Sequence, residues 1–192
     1  MAVRKVIQAG DLRLKHANKQ ISNIKSPIVQ KIIRDLISTM SKAGLVGIAA
    51  NQIGENYMIF ATHYRNTKTR KLGKPDKLRI FINPKITFKS KKKNLIYEGC
   101  GSVGDIFGPV VRPEEIEIEA IDEKGLGFSL RTNGILARVI QHEMDHLNGI
   151  EFLEKVSNYS KIVSKKFYKK NIRNSKEQHE NSQVTKIIYK KI

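Results

Sequence analysis

The sequence predicts an α+β fold in which antiparallel β-sheets wrap around a central helix that carries a His-Glu-x-x-His motif. Two observations support this prediction. Short apolar segments, some of them alternating with polar residues, recur along the chain and are separated by turn-forming residues. A later segment near residue 140 places aliphatic residues and two histidines on one helical stripe, which indicates that this helix is buried.

The composition predicts one folded domain with a basic extension. The chain has 192 residues, of which 40% are hydrophobic, and this suffices for one substantial core but is short for two. We assign residues 1–156 to the domain. Beyond Glu154 aliphatic residues become scarce and lysines accumulate, so residues 157–192 are expected to form a basic C-terminal extension that is helical or partly disordered.

The charge and the apolar pattern limit the partners of the protein. A formal net charge of +18 favours contact with polyanions, of which ribosomal RNA is the one we consider. No apolar run approaches the roughly 20 residues that a membrane-spanning helix needs, and residues 1–10 lack the apolar stretch of a secretory signal. We therefore expect a cytoplasmic protein with no membrane partner.

The first predicted element is a helix that begins at Ser26 and Pro27, residue types suited to the N-cap and the first helical position. Gly44 is placed to end it. The apolar residues at helical spacing between them are Ile28, Ile32, Ile33, Leu36, Ile37 and Met40. Short strands are predicted next, at residues 57–62, 78–82, 86–88 and 94–97, with an exposed loop at residues 68–77.

A hairpin and a second helix follow. Ile116, Ile118 and Ala120 alternate with glutamates, the period of a strand with one face in water, and residues 128–131 can return as its partner. The helix is predicted from Gly134 to Gly149. Its apolar stripe joins the two histidines, since Ile135, Val139, His142 and His146 are separated by four, three and four residues.

The two histidines predict a metal site. His142 and His146 lie one helical turn apart, the spacing with which two imidazoles hold one metal ion while the intervening Glu143 handles protons. A single histidine on an apolar face is more often a core residue with a polar partner. Two on the same buried stripe would each need such a partner, and a shared metal ion supplies one for both.

The third ligand separates the classes of metalloprotein. A metzincin would need a further histidine where this chain has Phe152, and a thermolysin-like enzyme would take a glutamate from a later helix, where only Glu177 and Glu180 remain. Cys100 is the better candidate, because it follows a predicted strand and has a glycine on each side. One thiolate with two imidazoles leaves a fourth position open for water, as in catalytic sites.

Three segments in this order resemble the peptide deformylases: Leu45 to Gln52, Glu98 to Ser102, and His142 to His146. The similarity extends from about Val3 to Val156. The resemblance implies a metal-dependent hydrolase that removes the N-terminal formyl group from newly made proteins, with residues 1–156 as its catalytic domain. It also implies one divalent metal ion, usually Fe²⁺, for which Zn²⁺ or Ni²⁺ can substitute.

The resemblance further implies a role for each matching residue. Glu143 would move protons, and the Gln52 side chain with the Gly101 backbone N–H would stabilise the oxyanion. Glu98 would bind no metal but pair with Arg112 and so hold the cysteine segment. The remaining positions would bind substrate: the backbone at Val46, Gly47 and Gly99 aligns the peptide, Val46, Ile135 and Val139 form the walls of the methionine pocket, and Arg138 lies at its rim.

Two residues depart from the family pattern. Leu45 stands where the family usually has glycine, and Gly101 stands where many members have leucine. Neither departure removes a ligand, so we expect activity to be retained. Two alternatives remain open: a different metallohydrolase such as a peptidase, and a catalytically idle, metal-stabilised binding module. The presence of Glu143, which a structural metal site does not need, argues against the second.

Overall fold

The computed structural model describes residues 2–65 and 75–192. Its helices are α1 (Pro27–Lys42), α2 (Gly134–Leu147), α3 (Lys165–Phe167) and α4 (Lys176–Ser182). Its strands are β1 (Gly47–Ala49), β2 (Ile59–Thr62), β3 (Arg79–Lys89), β4 (Lys93–Glu98), β5 (Ile106–Pro113), β6 (Glu115–Ile121), β7 (Gly127–Asn133), β8 (Val163–Ser164) and β9 (Ile187–Lys191). Most of the loop predicted at residues 68–77 lies outside the described residues.

Two antiparallel sheets surround helix α2. The larger has six strands in the order β1-β2-β3-β6-β7-β9, and the smaller has three in the order β4-β5-β8. Helix α2 packs Leu136 and Ile140 against the larger sheet. From another side of the helix, Gln141 donates a hydrogen bond to the Pro113 carbonyl of β5. The predicted α+β fold, with sheets around the motif helix, is confirmed.

Helix α1 covers the other face of the larger sheet. Ser26 accepts a hydrogen bond from the Val29 backbone N–H at 3.4 Å, and Pro27 occupies the first helical position, as the sequence predicted. The helix buries its apolar stripe in a second core cluster with residues of β1, β2 and β3. This packing stabilises β1, the strand that leads into the site described below.

Strand β3 is longer than the sequence suggested. The two predicted segments at residues 78–82 and 86–88 belong to one strand, which pairs with β6 through a register shift between Ile82 and Lys85. Asn83 lies at this irregularity with a φ of 49°, and its side chain bonds the backbone N–H and C=O of Ile21. The bulge interrupts the alternation of apolar residues, which explains why one strand resembled two.

The C-terminal residues pack on the rest of the chain and form strands as well as helices. Strand β8 pairs with β5, and β9 extends the larger sheet by pairing with β7. Val184 belongs to the main core cluster. The division at residue 156 stays a prediction. The segment contains helices α3 and α4, and also strands β8 and β9. Strands β8 and β9 were not predicted because the strands with which they pair lie far away in the chain. Strand β5 was also not predicted.

Within the described residues, helices are too short or too polar to cross a membrane.

Candidate active site

The three predicted ligands lie together between α2 and the end of β4. One potential ligand atom from each of Cys100, His142 and His146 lies within 4.8 Å of the others. The Cys100 Sγ and the His146 Nε2 are 3.1 Å apart. Helix α2 supplies both histidines from adjacent turns, and Cys100 comes two residues after β4. A sulfur and two imidazole nitrogens at this separation fit one divalent ion.

Glu98 holds the orientation of His142 from the side away from the cysteine. The Nδ1 of His142 lies 2.9 Å from Glu98 Oε2, which leaves Nε2 as the ring atom that can bind a metal. Arg112 donates to the same carboxylate from Nε at 2.7 Å and from Nη2 at 3.0 Å. Burial alone would raise the pKa of Glu98, but the Arg112 charge and the His142 hydrogen bond hold it well below its usual range.

Arg138 is a further partner of Glu98. Its side chain is 3% exposed, and its Nη1 donates to Glu98 Oε1 and to the Val110 carbonyl, both at 2.9 Å. Its Nη2 donates to the backbone and side-chain oxygens of Asn94. Arg138 is among the residues that line the cavity described below, but the whole residue is 2% exposed and therefore forms a buried part of the wall. It joins α2 to β4 and β5.

The carboxylate of Glu143 is buried beside the three ligands. The residue is 3% exposed, and its Oε2 has no hydrogen-bond partner among the described residues. Burial raises the pKa of Glu143 to about 7, against the lowering effect of His142. A carboxyl group with this pKa can accept and return a proton near neutral pH. An unpartnered buried oxygen also leaves room for a polar group of a ligand.

Gly47 lets strand β1 approach Glu143 closely. A Cβ atom at this position would overlap Glu143 Oε1 and would lie 2.7 Å from Val139 Cγ1. Any side chain at position 47 would therefore displace the carboxylate. The glycine is required by the close approach of the two elements and not by its φ angle, which lies outside the left-handed region.

Gln52 reaches the site from the short 3₁₀ turn at Ala50–Ile53 that follows β1. Its Oε1 accepts a hydrogen bond from the Ala49 backbone N–H at 2.8 Å, which fixes the amide orientation. Its Nε2 donates to Ser102 Oγ at 3.1 Å and lies 3.5 Å from Cys100 Sγ. The amide N–H₂ thus faces the metal ligands, where it can donate to a developing negative charge.

One cavity gathers most of the predicted site residues. Its lining includes every predicted member of the substrate-binding and proton-transfer sets: Val46, Gly47, Gln52, Gly99, Gly101, Ile135, Val139 and Glu143. Cys100, His142 and Glu98 also face it. His146 and Arg112 are not part of the lining. They lie behind it, where His146 contacts Cys100 and Arg112 contacts Glu98.

Three aromatic residues that line the cavity were missed: Tyr97, Phe107 and Tyr168. The rings of Phe107 and Tyr168 stack with centroids 4.0 Å apart and planes 5° from parallel. Gly99 accommodates this pair, because a Cβ there would lie 2.7 Å from the Phe107 ring. Tyr97 adjoins the cysteine motif and could have been considered from the sequence. Tyr168 has no local signal, since it belongs to the lysine-rich C-terminal segment.

The pKa values of the two histidines are shifted in opposite directions. Burial lowers the pKa of His146 well below its usual value, so its imidazole is neutral and has a lone pair to donate. Burial also disfavours a charge on His142, but its hydrogen bonds with Cys100 and Glu98 raise the pKa well above the usual value.

Comparisons with known proteins agree with this geometry. The sequence model of the family described as polypeptide deformylase matches residues 3–161. Peptide deformylase 1 of Ralstonia nicotianae is 37% identical over 157 residues, which cover 82% of this chain and 88% of the relative. Peptide deformylase of Pelotomaculum thermopropionicum is 36% identical over 165 residues, covering 86% of this chain and 99% of the relative.

Solved structures show the same similarity. A peptide deformylase of Synechococcus elongatus in complex with actinonin superposes with a TM-score of 0.71 at 33% identity, covering 81% of this chain and 80% of that one. A class I type b peptide deformylase of Acinetobacter baumannii bound to Met-Ala-Ser superposes with a TM-score of 0.74 at 28% identity, covering 81% of this chain and 99% of that one.

Proposed function

The chain belongs to the polypeptide deformylase family, and on that premise we propose that Cys100, His142 and His146 hold its metal ion while Glu143 moves protons. The reaction itself follows from the family. The protein is a metal-dependent hydrolase that removes the N-terminal formyl group from formyl-methionine of newly synthesised proteins and releases formate. The convergence of three ligand atoms within 4.8 Å is the observation that carries the assignment of the ligands.

The proposed chemistry uses residues around one cavity. A divalent metal ion, when bound, supplies Lewis-acid activation of water and of the formyl carbonyl. Glu143 accepts the proton of the attacking water and returns it to the departing amine. Gln52 Nε2 and the Gly101 backbone N–H donate to the oxygen that becomes negative during attack. The bond between the formyl carbon and the amide nitrogen breaks. The oxygen of the water becomes part of formate, and the peptide leaves with a free amino group.

The peptide is proposed to lie as an added strand along the backbone at Val46, Gly47 and Gly99. This arrangement contacts the backbone of the peptide, so it discriminates little among substrate side chains beyond the first residue. The side chain of the formyl-methionine enters between Val46, Ile135 and Val139, which face the same cavity. The Acinetobacter relative was solved with Met-Ala-Ser bound, which supports the binding of a peptide by this chain.

Metal content together with turnover tests these roles. We expect anaerobically prepared wild type to hold about one metal ion per chain and to release formate from formyl-Met-Ala-Ser. Cys100→Ser and His146→Ala should lose both properties, whereas Glu143→Gln should keep the metal and lose turnover. Full formate release by Glu143→Gln would overturn the role of the glutamate. Full metal retention by the ligand variants would overturn the ligand set. Cleavage inside the peptide, without formate release, would favour a peptidase.

We propose iron(II) as the native ion, with zinc or nickel able to occupy the same ligands. The support is the family resemblance and a donor set of one thiolate and two imidazoles, which suits each of these ions. The iron form should lose activity on exposure to oxygen, and the nickel form should keep it. Equal stability of both forms in air would argue against iron as the ion that supports activity.

The basic C-terminal segment is proposed to aid encounter with the ribosome, and the protein is proposed to act in the cytoplasm, where nascent chains emerge. Exposed lysines on this segment include Lys161, Lys166, Lys170 and Lys176. Changing these four to glutamine should reduce salt-dependent co-sedimentation with ribosomes without loss of formate release. Deletion of residues 157–192 is an unsuitable test because it also removes β9 and Val184 from the folded core. Unchanged co-sedimentation would remove the proposal.

We propose that the boundary at residue 156 separates two parts of one domain. Residues 1–156 contain every residue assigned above to metal binding, proton transfer or oxyanion stabilisation. Residues 157–192 pack against that unit through β8, β9 and Tyr168, so we treat them as an added layer of one domain.

A further inference from the structure

A groove continues from the active-site cavity along the C-terminal segment. It shares part of the cavity lining, namely Leu45, Val46, Gly99, Cys100, Gly101, Phe107 and Tyr168. Its other wall contains Lys165, Lys169 and Arg173. A peptide that lies along Val46 and Gly99, as proposed above, would therefore pass these three cations once its first side chain is seated.

The wall that carries the cations is attached at several points. Phe107 pairs with Val163 where β5 meets β8, and the Phe107 ring stacks on Tyr168. Gln178 of α4 joins the same structure, since its Oε1 accepts from the Tyr97 backbone N–H at 3.0 Å and its Nε2 donates to Tyr168 Oη at 3.4 Å. Lys169 and Arg173 follow Tyr168 in the chain and line the groove beside it.

The residues that line the groove carry a net positive charge. Lys165 Nζ lies 2.9 Å from Asp105 Oδ1, and this bond lowers the pKa of Asp105, which stays ionised. Asp105 is the only acidic residue among the described residues that line the groove, against Lys165, Lys169 and Arg173. Three cations and one anion give a net charge of +2. Besides Lys165, the cations that line the groove are Lys169 and Arg173.

We propose that this groove binds an acidic side chain of the substrate peptide beyond its first residue, so that the enzyme favours nascent chains with early aspartate or glutamate. The inference rests on the proposed function and adds a preference to it. The backbone contacts of an added strand do not distinguish one side chain from another. The cations beside the strand can distinguish acidic from basic side chains of the peptide. Solvent-exposed charges act weakly one at a time and are screened by salt, so the preference should be moderate and salt-dependent.

The test compares three peptides on the metal-loaded, full-length protein: formyl-Met-Ala-Glu-Glu, formyl-Met-Ala-Gln-Gln and formyl-Met-Ala-Lys-Lys, all amidated to remove the terminal carboxylate. We expect kcat/KM to fall in that order at low ionic strength, with about tenfold between the first and the last. High salt should bring the ratio close to one. The dissociation constants of the deformylated peptides, measured by calorimetry, should follow the same order without depending on turnover.

Variants locate the preference. Lys169→Gln combined with Arg173→Gln should bring the ratio of kcat/KM between acidic and basic peptides to within about twofold. Lys169→Glu alone should weaken or invert this preference. The single variant keeps the test valid if the double variant folds poorly. Lys190→Gln with Lys191→Gln removes the same charge from β9, outside the groove, and should leave the ratio unchanged.

The outcomes separate the two claims. No formate from the Gln-Gln peptide would count against the proposed function, and the calorimetric order would still decide the charge preference. Formate release with equal kcat/KM and equal affinity for the three peptides would overturn the groove proposal alone. The groove proposal would also be overturned if the Lys169→Gln, Arg173→Gln variant kept the wild-type ratio of kcat/KM between acidic and basic peptides.

Discussion

Leu45 and Gly101 are packed against each other at the mouth of the active-site cavity. A Cβ built on Gly101 would lie 3.2 Å from Leu45 Cδ1 and 3.3 Å from Cδ2. These are the two positions at which the chain departs from the family pattern, glycine being usual at the first and leucine frequent at the second. The structure shows that the departures are spatially coupled: the side chain at position 45 takes up room that one at position 101 would need.

Restoring the usual family residues one at a time should therefore be costly. We expect Gly101→Leu to overpack against Leu45 and to lose about 1–3 kcal/mol of unfolding free energy. The combination of Leu45→Gly with Gly101→Leu should recover part of that loss. Urea unfolding of the wild type, both single variants and the double variant measures the coupling, which should reach about 1 kcal/mol. Strictly additive single effects would show that the two residues are independent.

Gly47→Ala should damage catalysis through Glu143. The added methyl group overlaps the carboxylate and Val139, so we expect kcat to fall at least tenfold, with a loss of about 1–3 kcal/mol from overpacking. Adding Val139→Ala provides space for the methyl group on one side only. The combined variant should regain stability, measured by urea unfolding, while formate release stays low. Recovery of turnover together with stability would mean that Glu143 is not displaced.

Glu98→Gln should weaken metal binding although Glu98 is not a ligand. The change leaves two buried guanidinium groups, on Arg112 and Arg138, without their shared carboxylate, and removes the anion that orients His142. We expect about a 10- to 100-fold loss of metal affinity. Loss of one partner of a buried ion pair also costs about 3–5 kcal/mol of stability. Glu119→Gln, an exposed change on β6, is the matched control. Equal metal affinity in both variants would contradict the orienting role.

Glu115 should make the attachment of the C-terminal segment sensitive to acid. The hydrogen bond from Lys186 at 2.7 Å lowers the pKa of Glu115, and Arg131 adds to the effect. The unfolded chain, with an ordinary glutamate pKa of about 4.3, then binds more protons than the folded chain as the pH falls. Stability from this group is thus complete above about pH 4.3 and is lost as the pH falls through the lower folded value.

The measurement is urea unfolding of wild type and Glu115→Gln at neutral and acidic pH. The variant should be less stable near pH 7, and the difference should shrink below about pH 4. Glu119→Gln again serves as the control, because that carboxylate is exposed. A difference between wild type and Glu115→Gln that stays constant with pH would exclude the ionised pair as its cause.

Tyr168→Ala should impair substrate binding more than stability. The change removes the ring that stacks on Phe107 and opens one wall of the cavity. An aromatic contact contributes about 0.5–1.5 kcal/mol beyond burial, so loss of the contact between this ring and the substrate should raise KM for formyl-Met-Ala-Ser about two- to tenfold. Tyr168→Phe keeps the stack and should stay within about twofold of wild type. Equal KM values for both variants would show that the wall does not contact substrate.

Features with a local signal were predicted from the sequence. The helix α1 cap at Ser26, the strand alternation around Ile118 and the stripe that joins His142 to His146 each depend on residues a few positions apart. Motif order then suggested that Cys100 meets the two histidines, and the structure brings the three together.

Features that depend on distant contacts were not predicted. Arg138 is buried because Glu98 and Asn94 from β4 supply its partners, and nothing in its neighbouring residues indicates this. Strand β9 forms because β7 offers an edge, whereas its own lysines resemble a solvated tail. Tyr168 lines the cavity because Phe107 lies opposite it. In each case the residue that determines the structure lies tens of positions away in the chain, and patterns of residues a few positions apart do not detect such contacts.

Tyr168 comes late in the chain, after all the residues proposed to hold the metal. The ligands Cys100, His142 and His146 all precede it, as do β1 through β7 and both large helices. A chain that has emerged only through residue 161 would already contain every group proposed to hold the metal, yet would lack Tyr168 and the cations of the groove. The residues proposed to hold the metal and the methionine side chain are therefore synthesised before the cations proposed to discriminate among peptide charges.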